Sequence, residues 1–164
     1  MFSSILVVCT GNICRSPMGE FLIRERWRKT GVRVASAGVG AMVGWQADDD
    51  AIAVMDKRGI DMRDHQAQQL TQALINDYDL VLVMEKHHED WINQRLPTAR
   101  GRVHLMSKWQ ARDGVPDPYR RGRAAFEACY AQLDECVDQW LQRIALTDPG
   151  QAHARLTYTF TPFG

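Results

Sequence analysis

The chain has 164 residues, 45% of them apolar and 24% charged, enough to bury one good core and too few to suggest two. Its 20 basic and 20 acidic residues cancel, which removes any general electrostatic case for nucleic acid or an anionic membrane and leaves anion binding to local arrangements. No apolar run approaches a membrane span, and the N-terminus lacks the basic start, long apolar core and cleavage site of a secretory signal, so a cytoplasmic protein without membrane insertion is expected.

Taken in order, Ser4 to Cys9 is an apolar run that predicts a central strand, and Pro17 to about Lys29 a helix with Met18, Phe21 and Leu22 inward. Val32 to Ser36 predicts a second strand. Asp48 to Arg58 reads as a helix with Ile52 and Met55 on its apolar side, stopped by Gly59. Thr71 to Asn76 predicts a short helix, Asp79 to Met84 a nearly continuous apolar strand, Lys86 to Gln94 a helix ending before Pro97, and Val103 to Leu105 a short last strand. Phe126, Cys129, Tyr130, Leu133, Val137, Trp140, Leu141 and Ile144 recur at intervals of three and four and mark the longest helix. Asp148-Pro149-Gly150 breaks it, and Leu156 to Phe160 then alternates weakly with aromatics, as an edge strand or a disordered docking segment would. The pattern predicts an α/β chain: a single domain over residues 1–146, with a four-stranded parallel sheet covered by helices on both faces, and a C-terminal tail over 147–164.

The chemistry concentrates in CTGNICRSP. Cys9 and Arg15, with five residues between them, follow the first strand and precede the helix that Pro17 opens. Gly11 and Asn12 let the backbone curl so that successive N–H groups of Thr10, Gly11, Asn12, Ile13, Cys14 and Arg15 point inward, and a helix N-terminus closes the ring. Such a ring binds a phosphate dianion, and Arg15 adds a planar fork of donors that Lys would not reproduce. The same amides, the helix N-terminus and the guanidinium favour a thiolate at Cys9. Ser16 has two roles open to it: capping the helix, or donating to the sulfur and easing its departure. A thiolate attacking a phosphate ester needs a proton for the leaving oxygen, and Asp117, stiffened by Pro118 with Pro116 nearby, is the best candidate; Asp113 is a weaker one. A neighbouring thiolate and a bound dianion favour the protonated carboxyl, which predicts an acidic optimum.

VCTGNICRSP near the N-terminus, Ser36-Ala37-Gly38 after the second strand, Met84-Glu85 after the third and Asp117-Pro118-Tyr119 before the last helix resemble the low-molecular-weight protein tyrosine phosphatases, with every landmark in order from about Met1 to Ile144. FSSILVVCTGNICRSPMGE and YDLVLVMEKHH resemble the bacterial members linked to capsule and exopolysaccharide production. The resemblance implies a flavodoxin-like or Rossmann-like phosphatase fold that works without a cofactor. It also implies phosphotyrosine hydrolysis through a cysteinyl-phosphate on Cys9, with Asp117 as acid and then base and Ser16 steadying the leaving thiolate. DPY favours Asp117 over Asp113. The implied partner is a phosphotyrosine protein, a membrane tyrosine autokinase, acted on by a monomeric enzyme. Asn12, Ser36 and His65 are implied to brace the loop, although His65 alone reads as a surface loop histidine.

Of the four cysteines, Cys129 and Cys136 fall on the apolar stripe of the last helix and read as core fillers. Cys14 reads either as a packed loop residue or as the partner that resolves an oxidised Cys9 into a disulfide, a role the resemblance supports. Metal binding is not expected: the cysteines lack paired spacing with histidines, and in His87-His88-Glu89 adjacent histidines on a helix diverge by about a hundred degrees. Tyr119 and Trp45 are placed to wall a cleft deep enough for a phenyl ring, with Trp45 reading equally as an exposed, partner-facing aromatic, and Arg120, Arg121 and Arg123 follow the acid loop. Three other functions carry weight. A thioredoxin-coupled arsenate reductase needs relay cysteines that residues 79–95 lack, a non-catalytic phosphotyrosine-binding module would not need Cys9, Arg15 and Asp117 together, and phosphocarrier loops generally lack the arginine.

Overall fold

In the computed structural model, which describes residues 2–28 and 30–147, six consecutive buried residues form β1 (Ser4–Cys9) at the middle of one sheet. β2 (Arg33–Gly38) pairs with it on one side and β3 (Leu80–Val83) on the other, with β4 (Val103–Leu105) beyond β3; all are parallel, in the order β2-β1-β3-β4. Alternation along the strands splits the core. Ile5, Val7, Leu80 and Leu82 face α1 (Arg15–Arg26), α2 (Asp49–Asp56) and α5 (Arg123–Thr147), whereas Leu6, Val8, Val81 and Val83 face α3 (Gln72–Asn76) and α4 (Lys86–Arg95). The predicted α/β architecture is therefore the observed one.

The stripe predicted for the last helix is buried at Phe126, Cys129, Leu133, Val137, Trp140 and Ile144, with Tyr130 and Leu141 half-buried. Burial pushes the Cys129 and Cys136 thiols up to about 12, as suits apolar filler. Boundaries moved where tertiary contacts intervene. The first helix starts at Arg15, two residues before Pro17, with Cys14 at the N-cap and no side-chain cap, so Ser16 does not cap it. It stops at Arg26, after which Trp27, Thr30 and the left-handed Gly31 turn the chain into β2. Phe21, expected inward, is half-buried at the core edge, and Ile23 is buried instead. A 3-10 turn at Pro97–Arg102, absent from the sequence reading, leads into β4. The readings for 148–164, the helix break and the Leu156 to Phe160 segment, lie outside the described residues.

Parallel sheets bind ligands beyond the carboxyl ends of strands where the winding direction reverses. Here the chain winds from β1 to β2 on one side and from β3 to β4 on the other, so the reversal lies at β1 and β3. Cys9 ends β1 at that point.

Candidate active site

The loop from Cys9 to Cys14 has every carbonyl tied outward. Those of Cys9, Thr10, Gly11 and Ile13 accept from the backbone N–H groups of Val39, Gly40, Met42 and Asp48 at 3.0, 3.0, 3.0 and 2.8 Å. The Asn12 carbonyl accepts from His65 Nε2 at 2.7 Å and that of Cys14 from Met18 N at 3.2 Å. Because a trans peptide points its C=O and N–H in opposite directions, the following N–H groups, from Thr10 to Arg15, are turned toward the concave side. The result is a nest of donors around the Cys9 sulfur.

Asn12 makes this curl possible. It holds φ 58°, a left-handed conformation that Asn tolerates better than most residues. Its Oδ1 accepts from the Gln68 backbone N–H at 2.9 Å, which fixes the amide orientation and turns Nδ2 toward two hydroxyls, Ser16 Oγ at 2.8 Å and Ser36 Oγ at 2.9 Å. Ser36 Oγ donates in turn to Glu20 Oε1 at 2.6 Å. Ser16, having accepted from Asn12, keeps its own proton for Cys9 Sγ, 2.9 Å away. Of the groups named in the two roles open to Ser16, the structure brings its hydroxyl to the sulfur. His65 is buried, with its ring edge-on to Phe21, so it is not the surface histidine that the residues alone suggested.

Arg15 is buried at 2% exposure, under the loop it closes. Nη1 donates to Glu85 Oε1 and, at 2.8 Å, to the Val115 carbonyl, while Nη2 lies 3.7 Å from Asp117 Oδ2. Burial opposes its charge, but Cys9, Glu85 and Asp117 raise its hold on the proton overall. Burial likewise acts against the Glu85 carboxylate, and Arg15 more than compensates, holding Glu85 below the usual range. With Nη1 pinned, Nε and Nη2 are the edge of the fork available to an oxyanion. Asp117 sits in a short turn in which its Oδ1 accepts from Tyr119 N at 3.1 Å, and its side chain is 47% exposed. The acid loop is hitched to the sheet: Val115 N donates to the Met84 carbonyl at 2.8 Å, and Val115 O is the acceptor for Arg15.

Above the loop opens a cleft of about 170 Å³ lined by Cys9, Ile13, Arg15, Met42, Asp117 and Tyr119, with Thr10, Gly11, Cys14 and Gly40 completing it. Trp45, expected in this wall, does not line it and stands 56% exposed. The cause is the hydrogen bond from Met42 N to Gly11 O, which lays Met42 against the loop, and the turn through left-handed Gly44 that carries Trp45 away to pair with Ala67. Burial, Asp48 and Cys9 push the Cys14 thiol far above its ordinary value, so it is a thiol at rest.

Glu85, His87 and His88 bring potential ligand atoms within 4.8 Å of one another. The two imidazoles do not diverge as helix geometry predicted. His88 folds back so that its Nδ1 accepts from Glu85 N at 3.0 Å, His87 Nε2 lies 3.6 Å from Glu85 Oε1, and the ring centroids are 4.0 Å apart. Both ring nitrogens of His88 have partners and the Glu85 carboxylate is held by Arg15, a donor set that serves the loop and suits a cation poorly. Sequence reasoning missed His88, Glu20, Gln68 and the Val115 carbonyl, and used Glu85 only as a landmark after the third strand.

A cysteine at the floor of an amide nest, an arginine closing it and a carboxylic acid across a phenyl-sized cleft define a cysteine-based phosphate-ester enzyme. Residues 4–148 match the family described as low molecular weight phosphotyrosine protein phosphatase. The chain is 43% identical over 145 residues to AmsI of Erwinia amylovora, a probable low molecular weight protein-tyrosine-phosphatase, covering 88% of this chain and 99% of that one. The crystal structure of the tyrosine phosphatase Wzb from Escherichia coli K30 with sulphate superposes with a TM-score of 0.84 at 43% identity, over 88% of this chain and 99% of Wzb. Vibrio vulnificus Wzb with benzylphosphonate gives 0.83 at 42% identity, over 87% and 99%. The chain belongs to the low molecular weight protein tyrosine phosphatases and is a phosphoric monoester hydrolase.

Proposed function

We propose that this chain hydrolyses phosphotyrosine in proteins through a cysteinyl-phosphate on Cys9. The outward tying of the six loop carbonyls carries the reading, because it leaves a ring of donors that matches the three equatorial oxygens of a phosphoryl group in transfer. Cys9 Sγ attacks phosphorus in line, the loop amides and Arg15 hold the equatorial oxygens, and Asp117 gives its proton to the departing tyrosine oxygen. Water then attacks the cysteinyl-phosphate with Asp117 as base. The sulfur leaves as a thiolate stabilised by the Ser16 hydroxyl. Met42, Ile13 and Tyr119 give the aryl ring apolar walls, and the cleft favours a phenyl ester over a shorter alkyl one.

The substrate we infer is a membrane tyrosine autokinase of exopolysaccharide production, met by a monomeric enzyme in the cytoplasm; similarity to the bacterial AmsI and Wzb branch supports this. Among the described residues no helix is long and apolar enough to cross a membrane. Residues 1–146 form the phosphatase unit in this reading, and 147–164 are dispensable for chemistry. Cys14 resolves oxidised Cys9 slowly, since burial holds its proton; peroxide inactivation followed by thiol rescue is expected for the wild type and lost in Cys14→Ser. The test of the main reading is release of phosphate from a phosphotyrosyl peptide and from para-nitrophenyl phosphate. Wild type is expected to turn over both and Cys9→Ser neither, and turnover by Cys9→Ser would overturn the assignment.

A further inference from the structure

His88 has no place in the chemistry just described, yet it is 0% exposed and lies against the phosphate loop. The Glu85 backbone N–H, which can only donate, lies 3.0 Å from its Nδ1, so Nδ1 presents a lone pair and the ring proton is on Nε2. Nε2 is 2.9 Å from Thr10 Oγ1 and therefore donates to that hydroxyl. Burial, with the neighbouring His87 and Arg15, pushes His88 down to about 3, so the ring stays neutral and keeps this tautomer. Thr10 is the first residue after Cys9, and Glu85 is the residue that grips Arg15. One imidazole thus touches both the start of the loop and the residue holding its arginine.

The anchoring is two-sided. Residues 39–42 tie the carbonyls of Cys9, Thr10 and Gly11 toward β2, whereas the Thr10 hydroxyl ties the same stretch toward β3 and α4. We propose that His88 is a positioning residue for phosphoryl transfer: its Nε2–H bond to Thr10 fixes the first turn of the loop, and the Cys9 sulfur with it, relative to the guanidinium that Glu85 holds. The proposal rests on the phosphatase reading above. Misplacing donors aimed at transition-state oxygens costs rate more than ground-state binding, so the bond acts on kcat.

The test compares wild type, Thr10→Val, Thr10→Ser, His88→Asn and the Thr10→Val/His88→Asn double variant on one phosphotyrosyl peptide, with thermal melts alongside. Thr10→Val keeps the shape of an exposed side chain and removes its hydroxyl; kcat is expected to fall about tenfold with KM within about twofold and the melting temperature unchanged. Thr10→Ser is expected to recover most of that loss. His88→Asn keeps an acceptor for the Glu85 N–H but loses the donor to Thr10, so it is expected to fall equally, with the double variant no slower than either single one. A Thr10→Val enzyme within about twofold of wild type in kcat overturns the proposal, as does multiplication of the two losses in the double variant. If His88→Asn does not fold, the two Thr10 variants decide alone. A wild type without turnover overturns the phosphatase reading itself, and this positioning role with it.

Discussion

Asn12 spends its side chain on three partners and its carbonyl on a fourth while holding a backbone conformation that costs most residues about 1 kcal/mol or more. Asn12→Ala removes the bonds to Ser16, Ser36 and Gln68 and keeps the strained backbone. A loss of about 2 to 4 kcal/mol in urea unfolding is expected, together with lower kcat, because Ser16 loses the donor that aims its proton at Cys9. An unchanged unfolding midpoint would contradict the role given to this residue. Asp117, by contrast, is half exposed, and among the described residues its ion-pair partner outside its own turn is the distant edge of Arg15, so its removal should leave the fold alone. Asp117→Ala is expected to slow turnover by roughly a hundred- to ten-thousandfold while inhibition by inorganic phosphate stays near wild type, the signature of a lost proton donor. Weakened phosphate inhibition of the same size would make Asp117 a binding group instead.

At the scale of elements, β2 shapes the loop through Gly38. A Cβ there would lie 2.2 Å from the Thr10 carbonyl oxygen and 3.0 Å from Asn12 N, so β2 must end in glycine for the loop to pass. Gly38→Ala is expected to unfold the loop's register and abolish activity; wild-type turnover by that variant would mean the close approach does not exist in solution. The segment from Val39 to Trp45 shows why the sequence, which marked Tyr119 for the cleft wall and left Trp45 open between wall and exposed aromatic, passed over Met42. Trp45 is the large aromatic residue, but which residue of a turn faces the site is set by the bonds from Met42 to Gly11 and from Ala67 to Trp45, between positions far apart in the chain. Met42→Ala is expected to raise KM for aryl phosphates several-fold and Trp45→Ala to change it less than twofold. The start of the first helix has the same explanation: Ser16 and Pro17 carry local start signals, yet the closing loop delivers Arg15 already helical and Cys9 claims the serine. What was legible was local, namely apolar strands, the helical stripe of the last helix and the spacing of Cys9 to Arg15. His88, Gln68 and the Val115 carbonyl act across 78, 56 and 100 residues of chain, and no local pattern marks them.

Over the whole molecule, acid should weaken the fold through the residues that organise the site. His88 titrates near 6.5 when unfolded and is pushed down to about 3 when folded, so between those values the unfolded chain binds more protons. Its contribution is complete above about pH 6.5 and is lost as pH falls toward about 3, with a slope of up to about 1.4 kcal/mol per pH unit. Glu85, also lowered on folding, adds loss in the same direction below about pH 4.5. Urea midpoints measured downward from neutrality are expected to fall through this window, and His88→Asn to flatten the upper part of it; a flat wild-type profile there would place a charged or exposed histidine at this position.

All of these expectations depend on phosphate passing through the sulfur of Cys9. Rapid acid quench of the enzyme turning over a phosphotyrosyl peptide, followed by mass spectrometry of the Cys9 peptide, tests that most directly. A phosphoryl adduct on Cys9 that forms and decays in step with turnover is predicted. Full turnover with Cys9 never modified, or with the phosphoryl group on another residue, would contradict the account.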